Sequence, residues 1–151
     1  MENDFQRARR RHIAARFAQQ LRRHPGSASR LPRLDLAAGP LSYRSERRLG
    51  LRTIPLNTIA GSVEQRRDFD RRFRPTSNRV RERWERLALA QRRGEPIPPI
   101  EVYQVDGQHF VADGHHRVSI AAATGQDTID AYVTELHPAG PARPYRHEAA
   151  A

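Results

Sequence analysis

The chain has 151 residues, with 27 basic against 17 acidic side chains, a formal net charge of +10 and a hydrophobic share of only 37%. One core of this size buries about two-thirds of the unfolded surface, and the low apolar share places some segments outside it. There is no cysteine, which excludes disulfides, thiolate nucleophiles and cysteine zinc sites, and every basic residue is arginine, which excludes a P-loop lysine and the protein-kinase strand lysine.

Any phosphate ligand must therefore meet arginine, histidine, backbone N–H groups or a metal. Arginine suits the task because its planar fork binds two phosphate oxygens at once. No run approaches the roughly 20 apolar residues that span a bilayer. No apolar stretch follows the charged N-terminus, so no membrane span and no secretory leader are expected. A cytoplasmic, bacterial-type setting is the default.

In chain order, residues 4–23 predict a helix. Ile13, Ala14, Phe17, Ala18 and Leu21 share one face, and Arg7, Arg9, Arg10, Arg11, Arg16, Arg22 and Arg23 crowd the rest. His24-Pro25-Gly26 stops it. Residues 25–50 mix Pro, Gly, Ser and Arg and read as a linker. Residues 1–50 hold 12 arginines against 4 acids, and residues 51–151 hold 15 against 13, so the basic excess belongs to the N-terminal third. Such an arm can neutralise DNA or RNA phosphates without reading sequence, or lie on an acidic partner or an anionic membrane surface, as in a partition or regulatory adaptor; alternatively, it packs back on the domain through its apolar face.

The packed domain is expected to begin near Leu51. Leu51–Leu56 predicts a strand, and residues 60–76 read as a charged loop anchored by Phe69 and Phe73. Asn78–Arg93 predicts a helix with Val80, Trp84, Leu87 and Ala88 on its buried face and Gly94 as its stop. Trp84 is expected as a core anchor. Ile100–Val105 and Gln108–Ala112 predict a hairpin turned by Asp106-Gly107, with Glu101 facing solvent on an edge strand. A helix over residues 115–124 should bury Val118, Ala121 and Ala122 and close at Gly125. Thr128–Glu135 predicts the last strand, with Ile129, Ala131 and Val133 turned inward. The proline-containing tail from His137 is expected to fray.

The chemistry concentrates in Phe110-Val111-Ala112-Asp113-Gly114-His115-His116-Arg117-Val118. Here a strand feeds a glycine turn that opens a helix. The first helical turn presents unpaired N–H groups and the positive end of the dipole, where anions bind. His115, His116 and Arg117 add donors there. Asp113 can cap the helix, accept a proton or hold a divalent metal beside phosphates. The bland alternative is a capping Asp113 followed by solvated histidines. A third reading is a metal held by His115, His116 and His109, although adjacent helical histidines point apart.

The segment FVADGHHRVSIAAATGQDTIDAYV resembles the ParB/sulfiredoxin superfamily. The likeness also takes in PIPPIEVYQVDGQHFVADGHHR and TIPLNTIAGSVEQRRDFDRRF, and covers about residues 51–136. It implies an α+β fold, a small mixed sheet flanked by helices, here with an N-terminal basic helical arm (1–50), a ParB/sulfiredoxin-like domain (51–136) and a flexible tail (137–151). ParB partition proteins bind and hydrolyse CTP, sulfiredoxins use ATP with a catalytic Cys in the box, and ADP-dependent serine kinases carry an Asp-Gly-His-His-Arg box like Asp113–Arg117.

The resemblance thus implies a nucleotide ligand, CTP, ATP or ADP, together with Mg²⁺. Phosphates would meet Gly114, His115, His116 and Arg117, and Asp113 would be an acid/base or metal-linked residue. Glu64 is the nearest candidate for the kinases' catalytic glutamate, and Arg67, Asp68 and Arg71 fall in the loop that lies near the nucleotide in the family. Turnover as an NTPase or small-molecule kinase is one outcome, and a nucleotide switch is the other. Sulfinic acid repair is excluded because His stands where sulfiredoxins have Cys. Residues 137–151 supply no helix-turn-helix DNA domain. A homodimer is left open.

Overall fold

The computed structural model describes residues 4–11, 31, 33, 34, 43–64 and 66–138. Residues 4–11 form helix α1. Strand β1 spans Tyr43–Pro55, β2 Ile59–Ser62, helix α2 Arg81–Arg92, β3 Ile100–Val105, β4 Gln108–Asp113, helix α3 His115–Ala123 and β5 Thr128–Pro138. Single 3-10 turns at Leu56–Thr58 and Asn78–Val80 lead into β2 and α2.

The strands form one mixed sheet in the order β1-β5-β3-β4-β2. The β1/β5 and β3/β4 pairs are antiparallel, and β3/β5 and β2/β4 are parallel. The architecture is the expected α+β arrangement of a small mixed sheet with flanking helices. Asp106 and Gly107 both take positive φ, 50° and 77°, which gives the hairpin turn the twist of its strands and sets Val105 opposite Gln108. The helix stops fall at the glycines foreseen. Glu95 N–H returns to Ala90 O after α2, and Gln126 N–H to Ala121 O after α3, each at 3.0 Å.

Alternation along the strands divides the sheet into two faces. Ile54, Ile100, Val102, Val111, Ala131 and Val133 turn inward and meet Val118 of α3 and Phe73 of the loop after β2. A second cluster joins Ile120 on the far side of α3 to Trp84 and Ala88 of α2, Phe69, and Phe5 and Ala8 of α1. Because α3 is packed between sheet and helices, it buries Ser119 and Ile120 as well as Val118 and Ala121, while Ala122 is exposed, contrary to expectation. Trp84 is fully buried and its indole N–H donates to Ser119 Oγ at 2.9 Å.

Three further differences concern the ends and the edge. β1 starts eight residues before Leu51, and the sheet takes in residues expected in the linker. β2 runs to Ser62, so the charged loop is shorter than 60–76. Glu101 is exposed as expected, but on a central strand, since β3 lies between β5 and β4. Residues 4–11 of the basic arm are docked on α2. The Phe5 ring meets Trp84 edge-on at 5.6 Å, and Asp4 pairs with Arg92 at 3.4 Å. The expected arm contacts through Ile13, Phe17 and Leu21, with Arg16, Arg22 and Arg23, lie outside the described residues. No helix among the described residues is long and apolar enough to cross a membrane.

Candidate functional site

Gly114 makes the turn from β4 into α3 with φ +108°. A Cβ there would sit 2.4 Å from Ile100 Cγ2 and 2.8 Å from Ile100 Cβ, and only glycine tolerates this φ cheaply. The turn leads into the opening N–H groups of α3. Asp113 does not cap them: no side chain caps α3, and the first helical bond is Val118 N–H to Gly114 O at 3.0 Å. The three preceding N–H groups, of His115, His116 and Arg117, have no acceptor among the described residues.

The two histidines part company, as their adjacency on a helix requires. His115 is 4% exposed and lies between Phe69 and Phe73, its ring centroid 6.4 and 6.3 Å from theirs. Its Nε2 is 2.7 Å from Ser62 Oγ, which also receives the Glu64 N–H at 3.0 Å. Burial, and then the Arg66 charge, push its pKa down to about 4 against the opposing pull of Glu64, Asp68 and Asp113. His115 is therefore a neutral packing residue that ties the loop after β2 to α3, and its ring is not presented to a ligand.

His116 is half-buried, edge-on to Phe69 at 5.2 Å. Its pKa is also pushed down to about 4, by burial first and then by Arg83 and Arg66. Arg66 and Asp68 act on both rings, Glu64 and Asp113 on His115, and Arg83 on His116. Arg83 and Arg66 were missed by sequence reading. Arg83 stands one residue before Trp84 on α2, is exposed, and its charge lowers the pKa of His116.

Arg117, expected as a phosphate contact, is occupied. Its guanidinium donates to Pro98 O at 2.9 Å, Pro99 O at 2.7 Å and Asp113 Oδ2 at 2.7 Å, and its side chain is 14% exposed. It staples the Pro98-Pro99 segment leading into β3 to the start of α3. Asp113 stays 63% exposed at the other end of that pair.

Asp68 is held by a two-pronged bond from Arg66, at 3.0 and 2.8 Å. Arg66, Arg67, Asp68 and Arg79 line a shallow hollow of about 310 Å³. Glu64 is exposed, 3.6 Å from Arg66. Arg71 is exposed on the turn that Asp70 holds through the N–H groups of Arg72 and Arg74, and nothing described ties it to the α3 end. His109 is buried on β4, its Nδ1 2.8 Å from Thr58 Oγ1, with its pKa lowered by burial. It does not join His115 and His116, and among the described residues no three His, Asp or Glu side chains form a metal cage. The exposed carboxylate of Asp113 fits a hard cation shared with phosphate oxygens, which needs only one or two protein carboxylates.

The molecule is thus an α+β domain with a glycine-opened helix end set among arginines. No family model matches the chain. No curated protein matches it either. Among solved structures it is similar to sulfiredoxin from Arabidopsis thaliana, with a TM-score of 0.42 and 23% identity over 55% of this chain and 82% of that one.

Proposed function

We infer that the N-terminal end of α3 binds the phosphates of a nucleotide, with Mg²⁺ beside Asp113, either as a switch or for phosphoryl transfer or hydrolysis. One observation carries the reading: an uncapped helix end, opened by a glycine with no room for a side chain, lies in the field of Arg66 and Arg83. The backbone N–H groups of His115 and His116 are the first phosphate donors. Arg83 and, across the hollow, Arg67 and Arg79 supply charge, while Arg66 is held by Asp68. Arg117 acts indirectly, by fixing Asp113 and the turn. Phosphoryl transfer relies mainly on positioning and charge neutralisation, and Asp113 and Glu64 are the exposed carboxylates available for a proton or a metal.

The experiment is calorimetry of CTP, ATP and ADP with Mg²⁺ on wild type and Arg83→Ala, followed by turnover with Asp113→Ala. Saturable binding weakened by Arg83→Ala supports the site, and turnover lost with binding retained in Asp113→Ala makes it an enzyme. Binding by no nucleotide ends the proposal.

A second reading, sequence-blind binding of DNA or RNA, is favoured by the exposure of Arg7, Arg10 and Arg11 on the docked α1. It predicts salt-sensitive affinity that falls on replacing those three by Gln and is indifferent to Arg83→Ala.

A further inference from the structure

Strand β1 is one edge of the sheet, and among the described residues only β5 pairs with it. Alternate N–H and C=O groups of an edge strand point away from the sheet and form a template for a further strand. The opposite edge, β2, is partly covered: Arg33 bridges to Ser62, and Leu34 N–H donates to Ser62 O at 2.7 Å. No described residue covers β1 in this way. From residue 46 to residue 53 every position but Leu49 is exposed. At 13 residues β1 is also about twice the usual strand length.

The edge has a sign. Arg47, Arg48 and Arg52 are exposed beside one acid, Glu46. None of the three arginines makes an ion pair among the described residues. Register sets Arg47 opposite Glu135 and Arg52 opposite Ala131. Glu135 and Ala131 are an even number of positions apart on β5, so Arg47 and Arg52 share one face of the sheet. The bulge between Arg48 and Gly50 absorbs the extra residue of β1.

These features select the occupant. A second copy pairing along the same edge would bring arginines together, and like charges in register destabilise a strand pair. An acidic strand meets no such barrier. It takes up the outward backbone groups, and carboxylates four residues apart match the spacing of Arg47 and Arg52 as β5 measures it.

We propose that the free edge of β1 docks an extended acidic peptide as a sixth strand, with two carboxylates four residues apart facing Arg47 and Arg52. Such docking needs no ligand at the start of α3.

The test is an amide NMR titration of the full chain with the peptide acetyl-TEVTVET-amide, run beside its basic counterpart acetyl-TKVTVKT-amide. The acidic peptide should shift the amides of residues 46–54 saturably and slow the hydrogen exchange of alternate ones, and the basic peptide should leave them unmoved. Neither Arg47 nor Arg52 makes a described side-chain bond, so Arg47→Glu/Arg52→Glu should keep the wild-type urea midpoint. It should weaken the acidic peptide about tenfold and admit the basic one, because two cross-strand attractions become repulsions. Equal shifts from both peptides overturn the proposal, as does unchanged preference in the charge-reversed variant or the absence of any saturable shift in that set. Concentration-dependent shifts of the same amides without peptide would make a second copy the occupant, and overturn it too.

Discussion

Replacing Gly114 by alanine tests the geometry on which the site depends. A non-glycine residue held at positive φ costs about 1–3 kcal/mol. The new Cβ would also overlap Ile100, whose Cγ2 and Cβ lie 2.4 and 2.8 Å away. Ile100 is wholly buried on a central strand and has no open space to retreat into. Overpacking of that kind adds about 1–3 kcal/mol. The expected loss is about 2–6 kcal/mol, a large part of a total stability of roughly 5–15 kcal/mol, and about 4–24 °C in Tm for a chain of this length. Urea denaturation followed by circular dichroism measures it. Ile100→Ala removes the atom at 2.4 Å, so the double variant should be more stable than the sum of the two single losses by about 1 kcal/mol. A Gly114→Ala protein within about 0.5 kcal/mol of wild type would refute both the strain and the overlap.

Arg117→Ala leaves two proline carbonyls and a carboxylate without their cation. It should cost about 2–4 kcal/mol in urea denaturation, and Arg117→Lys should recover little because an ammonium cannot span the three acceptors. An Arg117 serving only as a ligand contact would leave stability unchanged. Trp84→Phe removes the bond to buried Ser119 Oγ and should cost about 1–3 kcal/mol by the same measurement; no loss would remove Trp84 as the link between α2 and α3. For His115 the folded pKa, about 4, lies below the ordinary 6.5. The unfolded chain therefore binds more protons between these values, and the stability that neutral His115 contributes is complete above pH 6.5 and is lost as pH falls towards 4. Denaturation midpoints taken across that window should fall, and His115→Gln should flatten the fall. An unchanged slope would mean that His115 is not the buried neutral group described.

The central elements are legible because each has a local signal. Asp106-Gly107 supplies the positive φ that its turn needs, and the spacing of Val80, Trp84, Leu87 and Ala88 marks the face of α2. The glycine turn, the strand before it and the helix after it also fall where the residues place them. The start of β1 is hidden because its pairing with β5 shifts register between Arg48 and Gly50, which breaks the alternation, and Arg47 and Arg48 are both exposed. Ala122 misleads because one apolar stripe was assumed for a helix that buries two sides.

Long-range partners decide the site, and these are beyond local reading. Ser62 claims the ring of His115 from 53 positions away, and the carbonyls of Pro98 and Pro99 claim the guanidinium of Arg117. Box residues that look like equal donors in sequence therefore divide into a buried ring, a half-buried ring and a staple. The nearest usable signal for Arg83 was its place beside a tryptophan already expected in the core.

The most direct measurement is a thermal-shift and calorimetric panel of CTP, ATP and ADP with Mg²⁺ on wild type and Arg83→Ala. At 100 times its dissociation constant, the right nucleotide should stabilise wild type by about 2.7 kcal/mol, and Arg83→Ala should weaken its binding about tenfold, as the proposed phosphate contact of Arg83 implies. Stabilisation by none of the three, or equal binding by wild type and Arg83→Ala, would contradict a phosphate site at the start of α3.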